Sequence, residues 1–258
     1  MIKHIRLFLL LFLPLSVHAQ FVMPETERVL LPITVQDAGG AFGTRWSTDA
    51  TIFMDAAAPP LVFPLAGCSS PCDNPFGPTS RHMFRFGFFA TGAGDTTGSL
   101  LYVERRGADV VSLALTLRNT ADDSGVSLPV VREREFFTER FQLLDVPNPG
   151  PSRRIALRIY AIDPSLLGAV RVRIFRPGTE EMISDRTYEL SVVQRYYSTA
   201  SFSVPIRPPV AEVHYWETLT SPGERLRFEV EPLTPGLRIW AFISITDNTT
   251  QRVSLRVP

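Results

Sequence analysis

Beyond residue 19 the chain holds only two histidines, His82 and His214, so any nucleophile–base–orienter triad has two imidazoles to draw on. Serines and acids are plentiful, yet neither a Gly-x-Ser-x-Gly elbow nor a His-Glu-x-x-His pair occurs. Lys3 is the sole lysine, which excludes a Ser-x-x-Lys nucleophile from the remainder. His82 stands at the mouth of an apolar segment and His214 lies within Val213-His-Tyr-Trp216. Both contexts suit rim histidines satisfied by backbone or water. A hydrolase would need one of them within hydrogen-bond reach of a serine or an acid in a cleft.

Paired carboxylates are the next chemistry to test, since glycoside hydrolysis uses two of them about 5–10 Å apart. Glu133 and Glu135 alternate with Arg132 and Arg134. On a strand this puts the acids on one face and the guanidiniums on the other, the pattern of an ion-paired surface ladder. Asp122-Asp-Ser-Gly and Asp73-Asn74 offer oxygen ligands without the alternating acid spacing of a dedicated calcium loop. No catalytic residue, metal site or cofactor is expected.

Cys68 and Cys72 sit in the turn-rich Gly67-Cys-Ser-Ser-Pro-Cys-Asp. Adding His82 and Asp73 gives no recurrent zinc spacing, and the pair is not a Cys-x-x-Cys redox motif. In an oxidising compartment a Cys68–Cys72 disulfide is expected, and closing so short a loop stabilises by roughly 2 kcal/mol. The best binding candidates are the aromatics Tyr197, Tyr215 and Trp216, placed near strand ends where flat rings stack on sugars or fill a partner's pocket. Packing at a sheet rim is the competing reading.

The compartment follows from the first nineteen residues. A basic start (Lys3, His4, Arg6) runs into the apolar block Leu7–Leu15 and ends in Val17-His-Ala19, the pattern of a secretory signal peptide cleaved near Ala19. The block is far shorter than the roughly 20 residues that span a bilayer, and no later apolar run reaches that length. A secreted or periplasmic protein without a membrane span is therefore expected. Removing Lys3 and Arg6 leaves 24 cations against 26 acids. A charge near −2 steers nothing toward nucleic acid.

All the remaining cations are arginines. Arg158, Arg171, Arg173, Arg225 and Arg227 alternate with apolar neighbours and are expected to face solvent, with Glu229 and Glu231 as cross-strand partners. Arginine-rich coding in a GC-rich genome accounts for this bias more simply than selection for guanidinium chemistry.

These residues must be positioned by strands. From Arg28 onward the apolar pattern has period two, and prolines and glycines cut it into short runs. Strands are expected at 28–35, 46–54, 83–90, 99–105, 109–118, 155–162, 170–175, 188–193, 202–206, 226–231 and 239–246. In the fifth of these, Val111, Leu113, Leu115 and Leu117 share one face, as in a half-buried antiparallel strand. Residues 54–80, rich in Ala, Pro and Gly, read as a long exposed loop. With 45% apolar residues the chain has ample material for a core, so long disordered stretches are not expected.

The fold class is thus all-β, an antiparallel β-sandwich. Pro147-Asn-Pro-Gly-Pro-Ser152 separates two strand-rich halves, which suggests immunoglobulin-like or fibronectin-like sandwich domains at 20–150 and 151–258 after the signal peptide 1–19. One larger sandwich, with that segment as an internal crossing, remains open.

Gly40-Ala-Phe-Gly-Thr-Arg-Trp-Ser-Thr48, Pro129-Val-Val-Arg-Glu133, Leu143-Leu-Asp-Val-Pro147, Leu157-Arg-Ile-Tyr160 and Leu237-Arg-Ile-Trp-Ala-Phe-Ile-Ser-Ile-Thr-Asp-Asn248 together resemble a family of uncharacterised secreted all-β proteins of GC-rich bacteria. The resemblance spans most of the chain and implies an extracytoplasmic β-sandwich. It carries no assigned activity and no catalytic residue. The resulting expectation is a non-enzymatic structural, adhesive or protein-interaction role at a protein or glycan surface. A carbohydrate-binding accessory module and a sandwich-based hydrolase stand as the two rivals.

Overall fold

The computed structural model describes residues 25–35, 37–54, 62–63, 83–87, 98–192, 207–221 and 223–258. Cys68, Cys72, His82, Tyr197, the leader and most of the 54–80 loop lie outside the described residues.

Strands alternate with short turns throughout, and the described residues contain no α-helix. The first sheet orders β4 (Val62–Phe63), β6 (Ser99–Glu104), β1 (Thr26–Leu31) and β9 (Val131–Arg132). The second orders β2 (Ala38–Gly39), β3 (Arg45–Met54), β7 (Val111–Asn119) and β8 (Gly125–Leu128), with β5 (Met83–Gly87) also on β3. β14 (Val210–Tyr215), β11 (Arg153–Ala161), β16 (Ile239–Asp247) and β17 (Val253–Arg256) form the third. The fourth comprises β10 (Phe141–Pro147), β15 (Arg225–Pro232), β12 (Ala169–Phe175) and β13 (Met182–Glu189). All pairings within them are antiparallel. The all-β, sandwich-like architecture expected from the period-two pattern is therefore present. Among the described residues no helix is long and apolar enough to cross a membrane.

The third sheet is covered on both faces. Ile155, Leu157 and Ile159 of β11, with Ile239, Ala241 and Ile243 of β16, join Leu143, Val172, Ile174 and Phe228 of the fourth sheet in one core. The intervening Tyr160, Trp240 and Phe242 join Leu30, Leu31, Leu100 and Leu115 of the first two sheets in another. Double coverage explains why β16 is apolar at nearly every position, because a strand with two dry faces has no solvent side to keep polar. β10 lies before the Pro147–Ser152 segment and pairs with β15, well after it, so hydrogen bonds cross that point.

Several sequence expectations shift in detail. β7 keeps the predicted alternation, with Leu115 and Leu117 buried and Ser112 exposed. β10, β14 and most of β13 form where no strand was expected. The reason in β13 is that its residues are largely exposed and polar, so its sequence carries no apolar alternation. Residues 133–135 are a 3₁₀ turn rather than a ladder strand. Glu133 there accepts from Arg28 Nε at 3.0 Å and from Arg238 Nη2 at 2.7 Å, and Glu135 accepts from the Arg132 backbone N–H at 2.6 Å. The expected cross-strand pairs do form in the fourth sheet, where Arg173 forms ion pairs with both Glu229 and Glu231.

Candidate functional site

The face of the third sheet that looks toward the second sheet is graded along its strands. Register places Glu212, Arg158 and Phe242 in one row across β14, β11 and β16. The next row outward is His214, Ala156, Ser244 and Leu255. Beyond it stand Trp216, one residue past β14, then Arg154, Thr246 and Val253. Inward lies the dry row of Val210, Tyr160 and Trp240, packed in the core. Alternation explains the shared face, and the polar residues gather at the end where the sheets part.

There the two sheets leave a partly open cleft of about 420 Å³. One wall is this polar end of the third sheet. The other is built by Ile33, Val35, Gly39, Gly40, Ala41, Trp46, Leu117 and Leu128. A size of this order suits a small-molecule or side-chain ligand.

Three local devices shape the second wall. Ile33 holds a left-handed backbone at φ 58°, a costly conformation for a β-branched residue. Thr48 secures it, since its hydroxyl donates to the Ile33 carbonyl at 2.9 Å and accepts from the Val35 N–H at 3.1 Å. Gly40 lets the Trp46 indole close over the backbone, because an added Cβ would lie 2.6 Å from Trp46 Nε1. The Gly40–Thr48 phrase thus encodes a wall of the cleft.

The floor is ionic. Arg158, expected to face solvent, is only 8% exposed, and this corrects the sequence reading. The pattern placed it on the right face, but that face is covered by another sheet. Its Nη2 donates to Glu212, its Nη1 donates to Ser244 Oγ at 3.0 Å, and its Cζ lies 5.8 Å from the Phe242 ring centroid. Its buried Nε has no hydrogen-bond partner among the described residues. His214 Nε2 lies 3.2 Å from Glu212 Oε1.

At the mouth, Trp216 is 55% exposed. The His214 ring stacks against it at 6.0 Å, and the Arg154 guanidinium lies 5.7 Å from its centroid. Arg154 is positioned by the side-chain oxygens of Asn248 at 2.7 Å and Gln251 at 3.0 Å, and burial lowers its pKa. Tyr215 points the other way. The pleat sends it into the opposite core, edge-on to Phe228 at 5.7 Å, and burial followed by its bond to Tyr188 raises its pKa. The structure therefore separates Tyr215 from Trp216.

His214 meets an acid in a cleft, the contact that the hydrolase reading asked of it, but among the described residues no serine stands beside it as a nucleophile. Ser244 lies two strands away across Ala156, about 9–10 Å at two strand spacings. Its hydroxyl is engaged by Arg158 and by the Ala156 carbonyl at 3.4 Å. Glu133, the other carboxylate singled out by spacing, has its pKa lowered to about 2, chiefly by the Arg28 hydrogen bonds. A general acid needs the opposite shift. Among the described residues no His, Cys, Asp and Glu cluster suits a metal ion.

Comparison with known proteins finds no matching family model, curated protein or solved structure. Site geometry is the sole guide to function. Sequence reasoning singled out Trp216 and His214 at this cleft and missed Arg154, Arg158, Glu212 and Trp46. The available signal was the alternation Arg154, Ala156, Arg158, which marks one face, joined to the polar Ser244 and Thr246 within an otherwise apolar strand.

Proposed function

We propose that this chain is an exported, non-enzymatic β-sandwich protein that binds a partner through the cleft between its second and third sheets. The observation that carries the reading is a buried cation, Arg158, on the floor of an open cleft whose rim bears an exposed tryptophan. Buried charge is costly, and an aromatic ring left half in water at a cleft mouth is a common anchor for a ligand. Lack of catalysis is supported by the separation of Ser244 from His214, by the engagement of Glu212 with Arg158, and by the ionised state of Glu133. Export is supported by the leader pattern of residues 1–19.

The test is retention of polysaccharides and surface proteins by the wild-type protein and by Trp216→Ala. Loss of retention in the variant, with unchanged folding, supports cleft binding. Equal retention by both proteins ends the proposal. N-terminal sequencing of protein recovered outside the cytoplasm should begin at Gln20.

A further inference from the structure

The fourth sheet ends in two unlike edge strands. β10 is blunted: its register with β15 slips between Leu143 and Val146, Asp145 there holds a left-handed backbone at φ 55°, and Arg225 and Arg256 reach its carboxylate. A bulge and fixed charges close an edge to further pairing. β13 carries no bulge over 184–189, where its pairing with β12 is regular.

The phase of that ladder is set by the Leu190 N–H, which donates to the Gly168 carbonyl at 2.8 Å. Gly168 and Leu190 are a hydrogen-bonded pair, so Val170–Tyr188 and Val172–Arg186 are too. The N–H and C=O groups of Asp185, Thr187 and Glu189 therefore point away from β12, and none is bonded to the backbone of another described residue. One step along the same edge, Ser191 already takes an antiparallel partner and exchanges both hydrogen bonds with Val210. Past that bridge β14 belongs to the third sheet, and the edge stays open.

Side chains select the occupant. Asp185 and Glu189 share the outer face with Thr187 between them, while Arg186 and Tyr188 take the inner face beside Val172 and Val170. A second copy of this chain fits poorly. Antiparallel self-pairing centred on Asp185 or Arg186 sets that residue against itself, and centred on Thr187 it sets Asp185 against the other copy's Glu189. Like charges directly opposite are destabilising, whereas a strand with cations at those two positions gains from both.

We propose that β13 takes an extended, basic segment of a partner protein as an added antiparallel strand, with lysine or arginine at positions four apart opposite Asp185 and Glu189. Main-chain pairing supplies the attachment and the alternate side chains supply the selection. This interface goes beyond the cleft and does not depend on it.

Fluorescence polarisation of a labelled, end-capped peptide, Thr-Ser-Lys-Val-Thr-Glu-Lys-Ser-Thr, with the chain from Gln20 onward tests it. The two lysines lie opposite Glu189 and Asp185, and the central threonine opposite Thr187. The peptide should bind at least about tenfold more tightly than one with Lys and Glu exchanged. N-methylation of the central threonine removes a ladder hydrogen bond and no charge, and should weaken binding about tenfold. Thr187→Pro removes an N–H that the described fold leaves unused, so it should keep the fold and abolish binding. Should it fold poorly, Glu189→Lys at its exposed position should erase the preference between the two charged peptides. Equal binding of the N-methylated or the exchanged peptide would overturn the proposal, as would absence of binding. A dimer of the protein alone that Thr187→Pro dissolves would overturn it by assigning the edge to a second copy. Trp216→Ala should bind the peptide as the wild type does; loss of binding there would move the peptide to the cleft, ending this proposal while supporting the cleft reading.

Discussion

Arg158 and Glu212 stand directly opposite each other across β11 and β14, and Nη2 of the arginine donates to the carboxylate from a site almost closed to water. This pair sets the character of the cleft floor, because it places a carboxylate beside His214 and a buried cation under the facing wall.

Removing one partner should cost more than removing both. Glu212→Gln takes the carboxylate from the buried Arg158 guanidinium and should destabilise by about 2–4 kcal/mol, since the cation sits in a site almost closed to water. Arg158→Met with Glu212→Gln should recover more than half of that loss. Urea unfolding of the four proteins in this cycle checks the prediction, and additive losses would refute the coupling.

Glu133 predicts a pH dependence. Its native pKa is about 2 against an ordinary 4.5, so the folded state binds its proton more weakly than the unfolded state. The contribution to stability is complete above about pH 5 and is lost as pH falls toward 2. Thermal unfolding followed over this range should fall less steeply in Glu133→Gln than in the wild type, and the variant should be less stable at pH 7. Identical slopes would show that Arg28 and Arg238 do not hold the carboxylate as described.

Thr48→Val keeps shape and removes the hydroxyl that bridges the Ile33 carbonyl and the Val35 N–H. It should destabilise by about 1–3 kcal/mol through lost hydrogen bonds at a left-handed residue. A change below about 0.5 kcal/mol in chemical denaturation would contradict the clamp.

Gly40→Ala inserts a Cβ 2.3 Å from Thr44 Oγ1 and 2.6 Å from Trp46 Nε1. The indole must move, at a cost of about 1–3 kcal/mol. Emission from Trp46 should shift to the red in Gly40→Ala, judged in a Trp216→Phe background that removes the exposed ring. An unshifted spectrum would show that the wall tolerates the methyl group.

Part of this site was legible from the chain alone. Alternation in 109–118 and 155–162 marked strands, and in Val111–Leu117 the buried face, but it sent Arg158 to solvent; Trp216 was recognisable as an aromatic near a strand end. β14 and β13 were missed because the short Val210–Tyr215 run is broken by Glu212 and His214, and because β13 buries little. The Glu133 run misled because three residues of alternating charge fit a 3₁₀ turn as well as a strand, and only the contacts with Arg28 and Arg238 distinguish the two.

What the residue order determines is local: a period of two forces extended strands, puts Arg154, Ala156 and Arg158 on one face, and gives the glycine and threonine that Trp46 and Ile33 require. What covers a face is not local. Arg158 is buried because the second sheet, drawn from residues that precede β10, closes over β11, and that meeting arises from the joint burial of Tyr160, Trp240 and Phe242 with Leu30 and Leu115. Strand periodicity fixes direction, whereas the energy of covering apolar surface selects the neighbour, and the cleft exists where that covering stops.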